Sequence, residues 1–123
     1  MRHGWVVCLV LMAACSKTPA PQVDPDARAP DVAVQIVNRG WSDMVILLST
    51  GGVWERLGQA GAAKSTTFFV PWRKLAGAGV VRLQADPTGA SRVLISEIVS
   101  VQPGRVVVWT LEQQLDQSTI AVY

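Results

Sequence analysis

From Val32 to the C-terminus the chain is cut into short runs rich in Val, Ile, Leu, Thr and Trp, separated by glycine- and proline-containing breaks. No helical period extends beyond two turns. This punctuation constrains the fold more than any other feature. Strand-sized runs at roughly 8–12-residue spacing belong to sandwiches and barrels rather than to helical or α/β domains. The candidate strands are Val32–Asn38, Met44–Ser49, Val53–Gln59, Thr66–Val70, Val80–Ala85, Val93–Val101, Val106–Leu111 and Thr119–Val122. The breaks have turn chemistry. Gly51-Gly52 can supply positive φ in a hairpin, Pro103-Gly104 suits a type II turn, and Asp86-Pro87 is a turn starter.

Alternation of Val32, Val34 and Ile36 gives the first strand one buried face. Met44–Leu48 and Val106–Trp109 are apolar on both faces, as interior strands are. The longest break, Pro71 to Gly79, is long enough to cross between two sheets. These features predict an all-β, immunoglobulin-like antiparallel sandwich of about seven to eight strands over 32–123, with a small closed barrel as the alternative. Val34, Ile36, Ile46, Leu57, Leu83, Ile98, Val107 and Trp109 are the expected core. No cysteine pair staples the sheets, so aliphatic packing must hold them.

The first 31 residues have a different character. Arg2 supplies a positive start, and Gly4 to Met12 (GWVVCLVLM) is an uncharged apolar segment of secretory-signal length. It is too short to span a bilayer, which takes about 20 apolar residues. Cleavage before Cys15 would put Met12 at −3, where ordinary signal peptidase wants a small residue. Leu11-Met12-Ala13-Ala14-Cys15 instead resembles the lipobox of bacterial lipoproteins, with residues 1–14 as the signal peptide. Cys8 does not compete, because bulky Trp5, Val6 and Val7 precede it. The resemblance implies that Cys15 becomes the mature N-terminus, takes a diacylglyceryl group on sulfur and is acylated on its amine. Each buried methylene adds about 0.8 kcal/mol, and two or more chains anchor firmly where one does not.

Residues 15–31 form the lipidated cysteine and a linker. Pro19, Pro21, Pro25 and Pro30 stand among small and charged residues, with Val23 the only large apolar one. Such a segment cannot offset its ordering entropy, and its sixteen residues after Cys15 reach at most roughly 50 Å. Ser16 stands where inner-membrane retention signals place aspartate. In a cell with two membranes the resemblance therefore implies the outer one.

The domain also carries a resemblance. The succession NRGWSDMVILL, ERLGQA, STTFFVP, VRLQADPTG and SVQPGRVVVWTLE is similar to a group of short bacterial lipoproteins of unknown function. That group combines a lipobox, a linker and one compact β-domain. It implies architecture and a cell-envelope location outside the cytoplasm, and it carries no catalytic residues.

Charge excludes several functions. The formal charge of +2 is too small for a nucleic-acid binder or a polybasic membrane patch. His3 and Cys8, both in the leader, are the only histidine and the only cysteine besides Cys15. The mature domain therefore has no imidazole or free thiol for a nucleophilic triad or for the usual zinc and copper sites. Asp43, Glu55, Asp86, Glu97, Glu112 and Asp116 sit singly in turns or along strands, without the paired placement of a glycosidase. Asp24, Asp26 and Asp31 lack calcium-loop spacing. No cofactor or metal is expected, and no enzyme activity.

Tryptophan is the richest feature. Trp109 belongs in the core, Trp41 is expected to cover the end of a sheet, and Trp54 follows a hairpin turn. Trp72 stands in the crossover beside Arg73 and Lys74, a combination able to stack on a sugar, a peptide or a lipid headgroup. That loop is the candidate binding site, with an edge-covering role for the ring as its competitor. The function expected is a membrane-anchored, non-catalytic interaction module that binds an envelope protein or glycan; a structural spacer lipoprotein is the alternative.

Overall fold

A computed structural model describes Gly4, residues 29–75 and residues 78–123. The expected signal peptide, Cys15 and the expected linker up to residue 28 lie outside the described residues, Gly4 apart. The elements are β1 (Val32–Asn38), β2 (Met44–Ser49), β3 (Trp54–Ala60), β4 (Lys64–Val70), a single helical turn α1 (Trp72–Leu75), β5 (Val80–Pro87), β6 (Leu94–Ile95), β7 (Val99–Ser100), β8 (Val106–Leu111), a 3-10 turn (Leu115–Gln117) and β9 (Thr119–Val122). Four strands match the expected bounds residue for residue.

Two sheets pack face to face. One has the order β4-β1-β8-β9; the other runs β3-β2-β5-β6, with β7 also paired to β5. The sandwich is open at both seams, so the barrel alternative falls away. The pairing is antiparallel except between β1 and β8, which run parallel with Ala33 opposite Val106 and Asn38 opposite Leu111. That exception follows from chain order: the strands between them either lie in the second sheet or, as β4 does, flank β1 on its other side. Pro71 to Gly79 does cross from one sheet to the other, carrying α1 on the way.

The core is built by strand alternation. Val32, Val34 and Ile36 face Met44, Ile46 and Leu48 across the sandwich, with Leu83, Val107 and Trp109 completing it. Six of the eight expected core residues are buried. Leu57 is half-buried because β3 bulges there: Ile46 pairs with Gly58 and Leu47 with Arg56, leaving Leu57 as the extra residue.

Ile98 departs from expectation and is 58% exposed. The run Val93–Val101 is two short strands, broken at Ser96. The Ser96 N–H donates to the Leu83 carbonyl at 2.8 Å, and its hydroxyl accepts from the Leu83 N–H at 2.9 Å. A side chain thus takes a ladder position, the alternation loses its phase, and Ile98 turns outward. Trp41 also departs: its ring is 82% exposed rather than laid over a sheet end. Asn38 organises that turn instead. Buried to 1%, it donates to the carbonyls of Ser42 (2.9 Å) and Ala60 (3.4 Å) and accepts from the Gly40 N–H (2.9 Å).

Candidate functional site

The register places one end of the sandwich around the start of β1. Val32 pairs with Val70, Ala33 with Val106, Ser49 with both Trp54 and Arg82, and Val80 with Ser100. The β2–β3 hairpin, α1, the β7–β8 turn and Tyr123 therefore all lie at the end where the chain enters the domain. Three shallow cavities adjoin one another there.

The first cavity, about 160 Å³, opens at the β3/β4 seam between Val53, Leu57, Phe69, Pro71 and Lys74. Proline at 71 ends β4 and sets up α1, whose Leu75 is fully buried and fixes the turn against the core. Trp72 packs half-buried on that core, while Arg73 and Lys74 remain exposed. The Lys74 ammonium lies 2.9 Å from the Glu55 carboxylate across the cavity mouth. Both side chains are solvated, so the pair contributes only about 0–1 kcal/mol, but it steers the lysine toward β3. Of the three residues singled out in the sequence, Arg73 is the one with both an exposed head and no ion-pair partner among the described residues.

A second cavity of about 310 Å³ lies across the hairpin, lined by Trp54, Val80, Arg82 and Ile98. Trp54 thus lines a cavity outside the expected Trp72 loop, and Ile98, expected in the core, forms part of its wall. The signal for this cavity was present in Ser49, whose hydroxyl accepts from the Gly52 N–H at 3.0 Å and holds the hairpin beside β5. A third cavity, about 460 Å³, is bordered by Gly79, Gln102, Arg105 and Tyr123.

The outer face of β4-β1-β8-β9 is the other notable surface. Its side chains form three rows across the strands. Phe69, Ala33, Val106 and Tyr123 make the row nearest the point of chain entry, and Thr67, Gln35, Val108 and Ala121 the next. Ser65, Val37, Thr110 and Thr119 make the third. None of the twelve is buried and none is charged. A solvated surface ordinarily carries about 25–35% charged side chains. Asp31 bounds the face at one end, and the Arg39–Glu112 pair (3.1 Å) follows the last row at the other.

Among the described residues no group of three His, Cys, Asp or Glu side chains is arranged to hold a metal ion. No helix among them is long and apolar enough to cross a membrane.

No protein-family model matches the chain, and no curated protein matches it. Among solved structures the chain is similar to a protein from Eubacterium rectale determined by NMR, at 10% identity and a TM-score of 0.50. The match covers 82% of this chain and 93% of that one, and it is a likeness of fold.

Proposed function

We propose that the protein is a bacterial lipoprotein of the cell envelope, anchored through acylated Cys15, whose β-sandwich is a non-catalytic interaction module. The observation that carries the interaction role is the uncharged outer face of β4-β1-β8-β9. Its floor of Ala33, Val37 and Val108, with Gln35, Thr67 and Thr110 interspersed, offers apolar contact and neutral hydrogen-bonding groups without the cost of desolvating a charge. An envelope protein or glycan laid across the strands would find donors, acceptors and aliphatic surface in register. The absence of histidine and cysteine after Cys15 supports a binding role over acyl-transfer or thiol chemistry.

A photocross-linking residue at position 108 or 67 should capture one discrete envelope component in living cells. The same residue at position 56, on the opposite sheet, should not. Val108→Glu should abolish the capture while shifting the melting temperature little, since the side chain points outward. Equal capture from both sheets would refute the assignment.

A further inference from the structure

We infer that the end of the sandwich where the tether enters is a membrane-docking surface, seated on the anionic lipid of the bilayer that holds the anchor. The inference rests on the lipoprotein reading above and names a partner for the Pro71–Lys74 crossover. The chain preceding residue 29 joins the domain at Pro30, which lies against the β7–β8 turn, 3.6 Å from the position a Cβ on Gly104 would take. Any anchor upstream therefore pulls on this end and no other. Of the large hydrophobic side chains that stand exposed among the described residues, Val53, Phe69, Val80, Ile98 and Tyr123 are at this end. They are spread over both sheets, around three adjoining cavities, rather than gathered on one face. That arrangement fits a plane better than a groove-filling peptide.

Charge agrees. Arg73, Arg82 and Arg105 rim these hydrophobics and form no ion pair among the described residues; Lys74 is matched by Glu55, and the other acids here are Asp31 and Glu97, the latter next to Ile98. The opposite end holds Asp43, Asp86, Glu112 and Asp116 against Arg39, Lys64 and Arg92. With Glu97 counted at the entry end, that end is net positive by one and the opposite end net negative by one, with Arg56 at mid-strand opposite Leu47, so the surplus of cations lies where a negatively charged headgroup layer would meet it. Interleaved aromatic, aliphatic and guanidinium groups are the composition of an interfacial contact. Docked in this way, the strands stand along the membrane normal, and the uncharged sheet face looks sideways, open to an envelope partner.

The test uses the full chain with Cys8→Ser and Trp5→Phe, coupled through the Cys15 thiol to maleimide-bearing lipid, so that tethering is imposed chemically. The vesicles contain brominated acyl chains, in phosphatidylglycerol mixed with phosphatidylcholine or in phosphatidylcholine alone. Tryptophan quenching should appear on the phosphatidylglycerol vesicles and fall several-fold at high salt. It should survive Trp41→Phe, at the far end, and fall several-fold in Trp54→Phe/Trp72→Phe. Arg73→Glu/Arg82→Glu/Arg105→Glu should abolish it while the chain stays coupled and folded, as judged by the near-ultraviolet signal of buried Trp109. Quenching that is absent on both vesicle types, indifferent to lipid charge, or carried equally by Trp41 overturns the inference. Acylation of Cys15 in cells is read separately by mass, so a failed anchor and a failed docking surface give different results.

Discussion

Asn38 offers a test of how the far turn is held. The side chain is almost wholly inaccessible, and its amide serves three backbone groups: two carbonyls receive its N–H donors, and the Gly40 N–H donates to its oxygen. Asn38→Ala strands the buried Gly40 donor and opens a cavity, a cost of about 1–3 kcal/mol from the unmet group alone. Asn38→Asp retains the acceptor for Gly40 but aims a carboxylate at the Ser42 and Ala60 carbonyls. Desolvation and those two dipoles disfavour the charged form, so the folded-state pKa rises above the unfolded value of about 3.9. The folded variant then binds its proton more tightly than the unfolded chain. Its stability relative to wild type is greatest below pH of about 4 and is lost as pH rises through the folded pKa. At neutral pH the uncompensated charge should cost about 3 kcal/mol or more. For a domain this size that is a melting-temperature drop of roughly 12 °C or more. Thermal melts of wild type, Asn38→Ala and Asn38→Asp from mildly acid to neutral pH measure this. A difference between Asn38→Asp and wild type that does not change with pH would show that the carboxylate is not held against the two carbonyls in the buried turn.

The β3 bulge gives a steric counterpart. A Cβ on Gly58 would lie 2.6 Å from Phe68 Cε1, and φ there is +156°; Gly58→Ala should cost about 1–3 kcal/mol, and less in a Phe68→Leu background, as a double-mutant cycle in denaturant would show. Trp72→Ala should cost about 2–3 kcal/mol because half the ring packs on the core, whereas Trp41→Ala at the exposed turn should stay within about 0.5 kcal/mol by the same melts. Ser96→Ala removes the hydroxyl that accepts from the buried Leu83 N–H, and hydrogen exchange at Leu83 should accelerate while that at Val107 does not.

Much of the sandwich was legible because period-two alternation and turn residues act locally. β1, β2, β8 and β9 are bounded by Arg39-Gly40, Thr50-Gly51-Gly52, Pro103-Gly104 and the end of the chain, and no tertiary contact is needed to find them. The Pro103-Gly104 turn closes as its residues require, with Gly104 at φ 75° and the Arg105 N–H donating to the Gln102 carbonyl. What escaped depends on partners distant in sequence. The break at Ser96 comes with its hydroxyl meeting Leu83, and the bulge at Leu57 shows only in the register of β3 against β2, where Gly58 lies close under Phe68. Parallel pairing of β1 with β8 has no local signature at all. The candidate loop was found from Pro71 and its basic neighbours, but the division of labour within it was not. Only the fold shows that Trp72 packs inward, Lys74 turns to Glu55 and Arg73 stays exposed. The uncharged sheet face was equally hidden, since its twelve residues come from four strands interleaved only by register.

The chemical state of Cys15 decides most directly whether the protein is a lipoprotein. Mass spectrometry of the N-terminal peptide from membrane-fractionated cells should find a chain beginning at Cys15 and carrying a diacylglyceryl group with an acylated amine. Cys15→Ser should leave the chain unprocessed or release it from the membrane. A chain that keeps residues 1–14 with an unmodified Cys15, or one cut elsewhere and recovered free of lipid, would rule out the lipid anchor.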